Sequence, residues 1–263
     1  MSDSLVTFSI DDGIARIALN RPDKRNALTR ELIAEFSHAI EDTADDDSVR
    51  LLIVSANGPA FCAGMDLDEM QQRAALPDAS AEWQRDTQVF RDLIASLVWL
   101  PVPTLAVVQG AALAGGFGLV LACDMVLAAE TAVFVLPEPK RGITAAVVAP
   151  LLIYRVGVGQ AGYLLLSGRN ISAREAHRIG ICHEVVPADS LSAREHDLTR
   201  SILTGAPSAL RKTKQLILDT AATHLAAQLD VGMTVSAQAR ETADAREGLS
   251  AFLDKRTPRW TTD

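Results

Sequence analysis

Leu51-Leu-Ile-Val-Ser-Ala-Asn-Gly-Pro-Ala-Phe-Cys-Ala-Gly-Met-Asp66 and Thr104-Leu-Ala-Val-Val-Gln-Gly-Ala-Ala-Leu-Ala-Gly-Gly-Phe-Gly118 are built on one plan. Each opens with a short apolar run, passes through a glycine-bearing loop and leads into helical spacing. A short apolar run bounded by glycine or proline reads as a buried strand. Either loop alone is explained by a tight turn between strand and helix. Taken together they offer more. The first N–H groups of a helix have no intrahelical partner and carry partial positive charge. Two such ends converging on one point present two backbone donors to a developing oxyanion.

The same alternation extends in both directions. Val6, Phe8 and Ile10 alternate ahead of Asp12-Gly13, and Ile14 to Leu19 follows, which predicts a hairpin. Thr29 can cap a helix carrying Leu32, Ile33, Phe36 and Ile40 at helical spacing. A strand is expected over 49–54, helices over 66–75 and 82–100, a strand at Thr104–Val108 and a helix from the glycines near 115. Further strands are expected over 124–128 and Val133–Val135. Strands alternating with helices imply an α/β core with right-handed crossovers. From Ala188 onward only helical patterns remain, so the chain divides into a core, 1–200, and a helical C-terminal region, 201–263.

The 263 residues are 48% hydrophobic and 22% charged, enough for a substantial core. A formal charge of −8 argues against broad nucleic-acid or anionic-membrane binding, so neither is an expected partner. Cys62, Cys123 and Cys182 are odd in number, far apart and without CxxC spacing; they read as free thiols in a reducing compartment. His38, His177, His183, His196 and His224 make no HExxH-like set, and no metal is expected. No basic segment precedes an apolar stretch at the N-terminus, and no apolar run reaches about 18 residues, so the expected location is cytoplasmic.

An ordered set of motifs resembles the enoyl-CoA hydratase/isomerase (crotonase) family. It comprises Arg21-Pro-Asp-Lys-Arg-Asn-Ala-Leu28, Ala60-Phe-Cys-Ala-Gly-Met-Asp-Leu67, Gly110 to Asp124, and Leu136-Pro-Glu-Pro-Lys-Arg-Gly-Ile143. Ser167-Gly-Arg-Asn-Ile-Ser-Ala-Arg-Glu-Ala176 and Ala251-Phe-Leu-Asp-Lys-Arg256 complete it. The resemblance implies a crotonase-like spiral of ββα units with a C-terminal helical region used in trimer formation, as a homotrimer or a dimer of trimers. It implies an acyl-CoA substrate, with coenzyme A as part of that substrate and no permanently bound cofactor.

Carried over residue by residue, the resemblance makes the N–H groups of Met65 and Gly115 the oxyanion donors. It makes Glu138 the acid/base, and gives Gly118 the place where hydratases carry a second glutamate. One carboxylate suits a proton shuttle, removing a proton at C2 and returning it at C4. Isomerisation of 3-enoyl to 2-enoyl thioesters is therefore placed slightly ahead. The alternatives are a 2-enoyl-CoA hydratase, an aryl-enoyl-CoA hydratase-lyase, or a catalytically impaired scaffold of the same fold. Lys24, Arg25, Phe252 and Lys255 match positions along the CoA nucleotide, the last two often reaching a neighbouring subunit. Ala63, Asp66 and Gly118 fall within the expected substrate site. Asp68 stands where some members have a phosphate-binding lysine. Trp83, Val89, Phe90 and Leu93 fall where the family shapes its acyl pocket, although one apolar helix face explains them equally well.

Gly157-Val-Gly-Gln-Ala-Gly162 spells GxGxxG, with Glu184 further on. A dinucleotide site requires a strand immediately before those glycines. The preceding residues 146–156 contain Pro150 and read as helix, which counts against that rival.

Overall fold

The computed structural model describes residues 4–261. The opening alternation folds as a hairpin, with β1 (Val6–Asp11) antiparallel to β2 (Ile14–Leu19) from Val6 opposite Leu19 to Asp11 opposite Ile14. Asp12 and Gly13 both take positive φ, which lets a two-residue turn follow the strands' twist. Thr29 caps α1 (Arg30–Asp45) by accepting from the Leu32 N–H at 3.1 Å, and α1 buries Leu32, Ile33, Phe36 and Ile40.

Next come β3 (Leu51–Ala56), α2 (Leu67–Ala74), α3 (Ala79–Val98), β4 (Thr104–Val108), β5 (Ala112–Leu113), α4 (Gly115–Ala122), β6 (Met125–Ala129) and β7 (Val133–Val135). The chain continues through α5 (Ala149–Ser167), β8 (Ile171–Ser172), α6 (Ala173–Arg178) and β9 (Glu184–Val186). It closes with α7 (Leu191–Leu203), α8 (Pro207–Ala221), α9 (Leu225–Ala239) and α10 (Ala243–Leu253). The main sheet has the order β1-β2-β3-β4-β6-β9 and is parallel from β2 onward. A smaller sheet, β5-β7-β8, takes its first strand from within the second glycine loop. Parallel neighbours need long crossovers, and the intervening helices supply them. Leu52, Ile53, Val54, Leu105, Ala106 and Val108 are all buried, as expected for strands covered on both faces.

Three strands were not expected: β5, β8 and β9. They have two or three residues each, too few to display a period of two. The strand expected over 49–54 lies at Leu51–Ala56, and the helix expected over 82–100 runs Ala79–Val98. All the elements after β9 are helices, and position 200 lies inside α7. The GxGxxG stretch lies within α5, where Gly157 breaks the helix at φ 74° and ψ 165°. With no strand leading into those glycines, the dinucleotide reading fails. α5 is long and apolar enough to span a membrane by length and composition alone. It nevertheless buries Leu151, Leu152, Ala161 and Leu164 in this fold, and Arg155 on it donates to the carbonyls of Leu121 and Asp124.

Candidate active site

The two glycine loops are laced together. Cys62 and Ala112 form a parallel bridge; the Phe61 and Cys62 N–H groups donate to Ala111 O, and the Leu113 N–H donates to Cys62 O at 2.8 Å. A second bridge joins Leu28 to Met65, through Leu28 N–H to Gly64 O and Asp66 N–H to Leu28 O. In this pattern the bonds fall on either side of Met65, so its own N–H points away. Gly115 is the first residue of α4, and its N–H is likewise without an acceptor among the described residues. The cross-over of the loops is tight. A Cβ on Gly64, which sits at φ 86°, would lie 3.2 Å from Gly115 N and 2.8 Å from Ala114 Cβ. Ala114 itself is held at φ 50° and ψ −121°, a sparsely populated conformation of the kind found where surrounding structure dictates the backbone. Two backbone N–H groups without acceptors among the described residues thus lie on adjoining loops.

These donors open into a cavity of about 660 Å³, including its mouth, lined by Ala63, Met65, Ala114, Gly115, Phe90 and Glu138 among others. Glu138 begins a 3-10 turn, Glu138–Arg141, directly after Pro137. It is 7% exposed, and its Oε2 has no hydrogen-bond partner. Burial pushes its carboxyl up to about 7, with Arg141 and Arg240 pulling the other way. It is the only carboxylate among the residues lining the cavity.

Several expected residues sit elsewhere. Gly118 does not line the cavity; it lies behind the wall, where a Cβ would be 2.9 Å from Val148 Cγ2 and 3.3 Å from Phe90 Cζ. Asp66 is not free for a ligand: it caps α2 by accepting from the Asp68 and Glu69 N–H groups, and pairs with Arg21 at 2.5 Å. On α3, Phe90 lines the cavity and Trp83 lines an adjoining chamber of about 450 Å³. Leu93 is instead wholly within the core and Val89 packs on that core, because the cavity stripe runs through Trp83, Thr87 and Phe90 and ends there. Ala63 lines the cavity, but its N–H is spent on Arg25 O.

Lys24 and Arg25 are exposed on the loop before α1; Lys24 faces Asp68 at 3.4 Å, so the departure at Asp68 also occupies the lysine. Phe252 lines the second chamber of its own chain, stacked under Arg141 at 4.3 Å, while the nearby Lys255 is exposed and lines neither chamber. Among residues given no role beforehand, Asn26 is wholly buried and ties the first loop by donating to Asn57 O and Ala60 O. Arg141 and Arg240 line both chambers, and Thr87 and Ser236 line the first. Cys62, Cys123 and Cys182 are buried with thiols pushed up to about 12 by that burial, which leaves them poor nucleophiles. No cluster of three metal-ligating side chains occurs among the described residues.

A family-wide profile described as enoyl-CoA hydratase/isomerase matches residues 9–263. The chain is 35% identical over 95% of its length to the human mitochondrial enoyl-CoA hydratase domain-containing protein 2, covering 86% of that protein. It is 32% identical over 96% of its length to an Escherichia coli 1,2-epoxyphenylacetyl-CoA isomerase, covering 96% of it. In three dimensions it resembles a crystal structure of an enoyl-CoA hydratase/isomerase from Xanthobacter autotrophicus, with a TM-score of 0.87 and 32% identity, over 98% of this chain and 99% of the other.

Proposed function

The chain belongs to the enoyl-CoA hydratase/isomerase family of enzymes, and on that premise we propose that it isomerises 3-enoyl-CoA to 2-enoyl-CoA thioesters. The thioester oxygen sits between the N–H groups of Met65 and Gly115. Glu138 removes a proton from C2, the electron pair delocalises onto the thioester oxygen, and the oxyanion is held by the two donors. The same carboxyl returns its proton at C4 as the double bond shifts to C2–C3. A carboxyl near 7 is suited to both halves of that shuttle at neutral pH. Preorganised N–H donors in an enclosed site stabilise the enolate without reorganising at the moment of reaction.

The observation that carries this reading is the solitary carboxylate. Hydration asks one group to activate water and another to deliver a proton. Here the place for a second carboxylate is closed by Val148 and Phe90. Arg25 and Lys255, exposed outside the cavity, hold the CoA portion. Second and third copies of the chain cover the apolar faces of α5 and α9, where Val158, Tyr163, Leu166, Val231 and Val235 are exposed.

The test is incubation with 3-enoyl- and 2-enoyl-CoA in deuterated water, with products analysed by mass. Isomerised thioester with little water addition is expected, carrying deuterium only to the extent that the Glu138 carboxyl exchanges with solvent before returning its proton. Water addition to 2-enoyl-CoA faster than isomerisation would replace this reading with the hydratase.

A further inference from the structure

The two chambers meet at Leu67, Met70, Ile143, Arg141 and Arg240, which line both. An apolar junction carrying two guanidiniums is a costly construction, and the surrounding anions do not satisfy it. Arg240 has a side chain only 10% exposed, and none of its guanidinium N–H groups makes a hydrogen bond among the described residues. Its nearest carboxylate oxygen, Asp86 Oδ2, is 3.8 Å from Nη1. Asp86 is already taken, its Oδ1 by Arg30 at 2.5 Å and its Oδ2 by Arg73 at 3.0 Å. Glu82 is occupied by Arg30 and Arg85, and Glu69 by Arg73. Arg240 is therefore a third guanidinium on one carboxylate. It leans on Trp83 at 5.5 Å, as Arg141 does on Phe252 at 4.3 Å. Among the described residues Arg141 also makes no side-chain hydrogen bond, and Glu138 leaves its Oε2 unbonded rather than reaching either arginine.

We propose that the acyl group this cavity takes ends in a carboxylate, which Arg240 and Arg141 receive where the chambers join. The substrates are then mono-CoA thioesters of dicarboxylic acids, a class that deepens the function proposed above and rests on it. A buried cation that shares one distant carboxylate with two other arginines is poorly compensated in the free protein, and a ligand carboxylate relieves that cost while gaining paired N–H···O contacts. An alkyl terminus gains nothing there and leaves the guanidiniums unpaired. Burial draws Arg240 down only to about 10, so it stays protonated at neutral pH. The ring faces of Trp83 and Phe252 keep each guanidinium oriented without consuming its in-plane donors.

The probes are saturated thioesters, which bind without turnover. Glutaryl-, adipyl- and pimelyl-CoA are compared by calorimetry with their methyl esters and with the alkanoyl-CoA of equal chain length, on the parent protein and on Arg240→Met. At least one dicarboxylyl thioester is expected to bind about tenfold or more tighter than its ester and alkanoyl counterparts, with the ratio falling towards one in Arg240→Met. Equal or tighter alkanoyl binding at every length overturns the proposal, as does a carboxylate preference that survives both Arg240→Met and Arg141→Met. The ester comparison needs no variant, so it decides the matter even if Arg240→Met does not fold. Isomerisation of 3-hexenoyl-CoA without any carboxylate preference sinks this inference and spares the catalytic reading. A carboxylate preference without turnover of any enoyl thioester does the reverse.

Discussion

Replacing Glu138 by glutamine should produce a protein that is almost inactive and, above neutral pH, more stable than its parent. Free glutamate titrates near 4.5, whereas in this fold burial raises Glu138 to about 7. The folded protein thus holds this proton more tightly than the unfolded chain does. Below about 4.5 both states are protonated and the group is neutral in the ledger. As pH rises towards 7 the unfolded carboxyl ionises first, so stability is lost across that window and stays lower above it. A shift of this size corresponds to about 3 kcal/mol, and glutamine, with nearly the same shape, carries none of it. Thermal denaturation at pH 8 should place Glu138→Gln higher by on the order of 5 °C or more, with the difference vanishing near pH 4.5. Turnover should fall by roughly 10² to 10⁴-fold. In the parent, kcat/KM should climb with pH, pass half its maximum near 7 and level off above that, because the ionised form is the base that starts the reaction. Activity within about threefold of the parent would remove Glu138 from the mechanism. A pH profile with its midpoint near 4.5, with no stability gain in the variant, would show that the carboxyl is solvated rather than buried.

Gly64→Ala places a methyl group 2.8 Å from Ala114 Cβ at a position held at φ 86°. It should spread the two donor loops and lower kcat by about 10² to 10³-fold, read against KM and with folding checked by circular dichroism. Gly118→Glu has no room beside Val148 and Phe90, so alone it should destabilise by about 1–3 kcal/mol in denaturant titrations without creating hydration. Combined with Val148→Ala it becomes the proper test of a second carboxylate, and hydration by the single variant at full stability would contradict the packing argument. Leu166, 84% exposed on α5, should matter to assembly but not to monomer folding. Leu166→Asp is expected to shift the mass measured by light scattering towards smaller species, and an unchanged assembly would place the subunit contact elsewhere.

What the sequence disclosed and what it withheld divide along a physical line. The hairpin, the Thr29 cap and the two glycine loops are written in neighbouring residues, since turn chemistry, capping and strand–helix junctions are local events. Met65, Gly115 and Glu138 stand in such loops, and it is the family resemblance of those short motifs that singles them out for the roles proposed above. Short strands such as β8 and β9 exist only because a neighbour pairs with them, and no local period announces them. The acyl-pocket residues on α3 fall between these cases. Helical spacing picks out the right face, but only the end of the cavity decides that Phe90 lines it and Leu93, one turn on, belongs to the core. Arg240 is the extreme case. It stands at the end of α9, 102 positions after Glu138, in a stretch whose pattern says only helix. Its importance comes from what surrounds it: an aspartate already bound by two other arginines, an indole face, and a cavity shared with the acid. Chemistry common to a family can be fixed by short motifs at the ends of strands. The choice among acyl groups needs side chains gathered from α3, α9 and the turn at Arg141, and such gathering leaves no local signature.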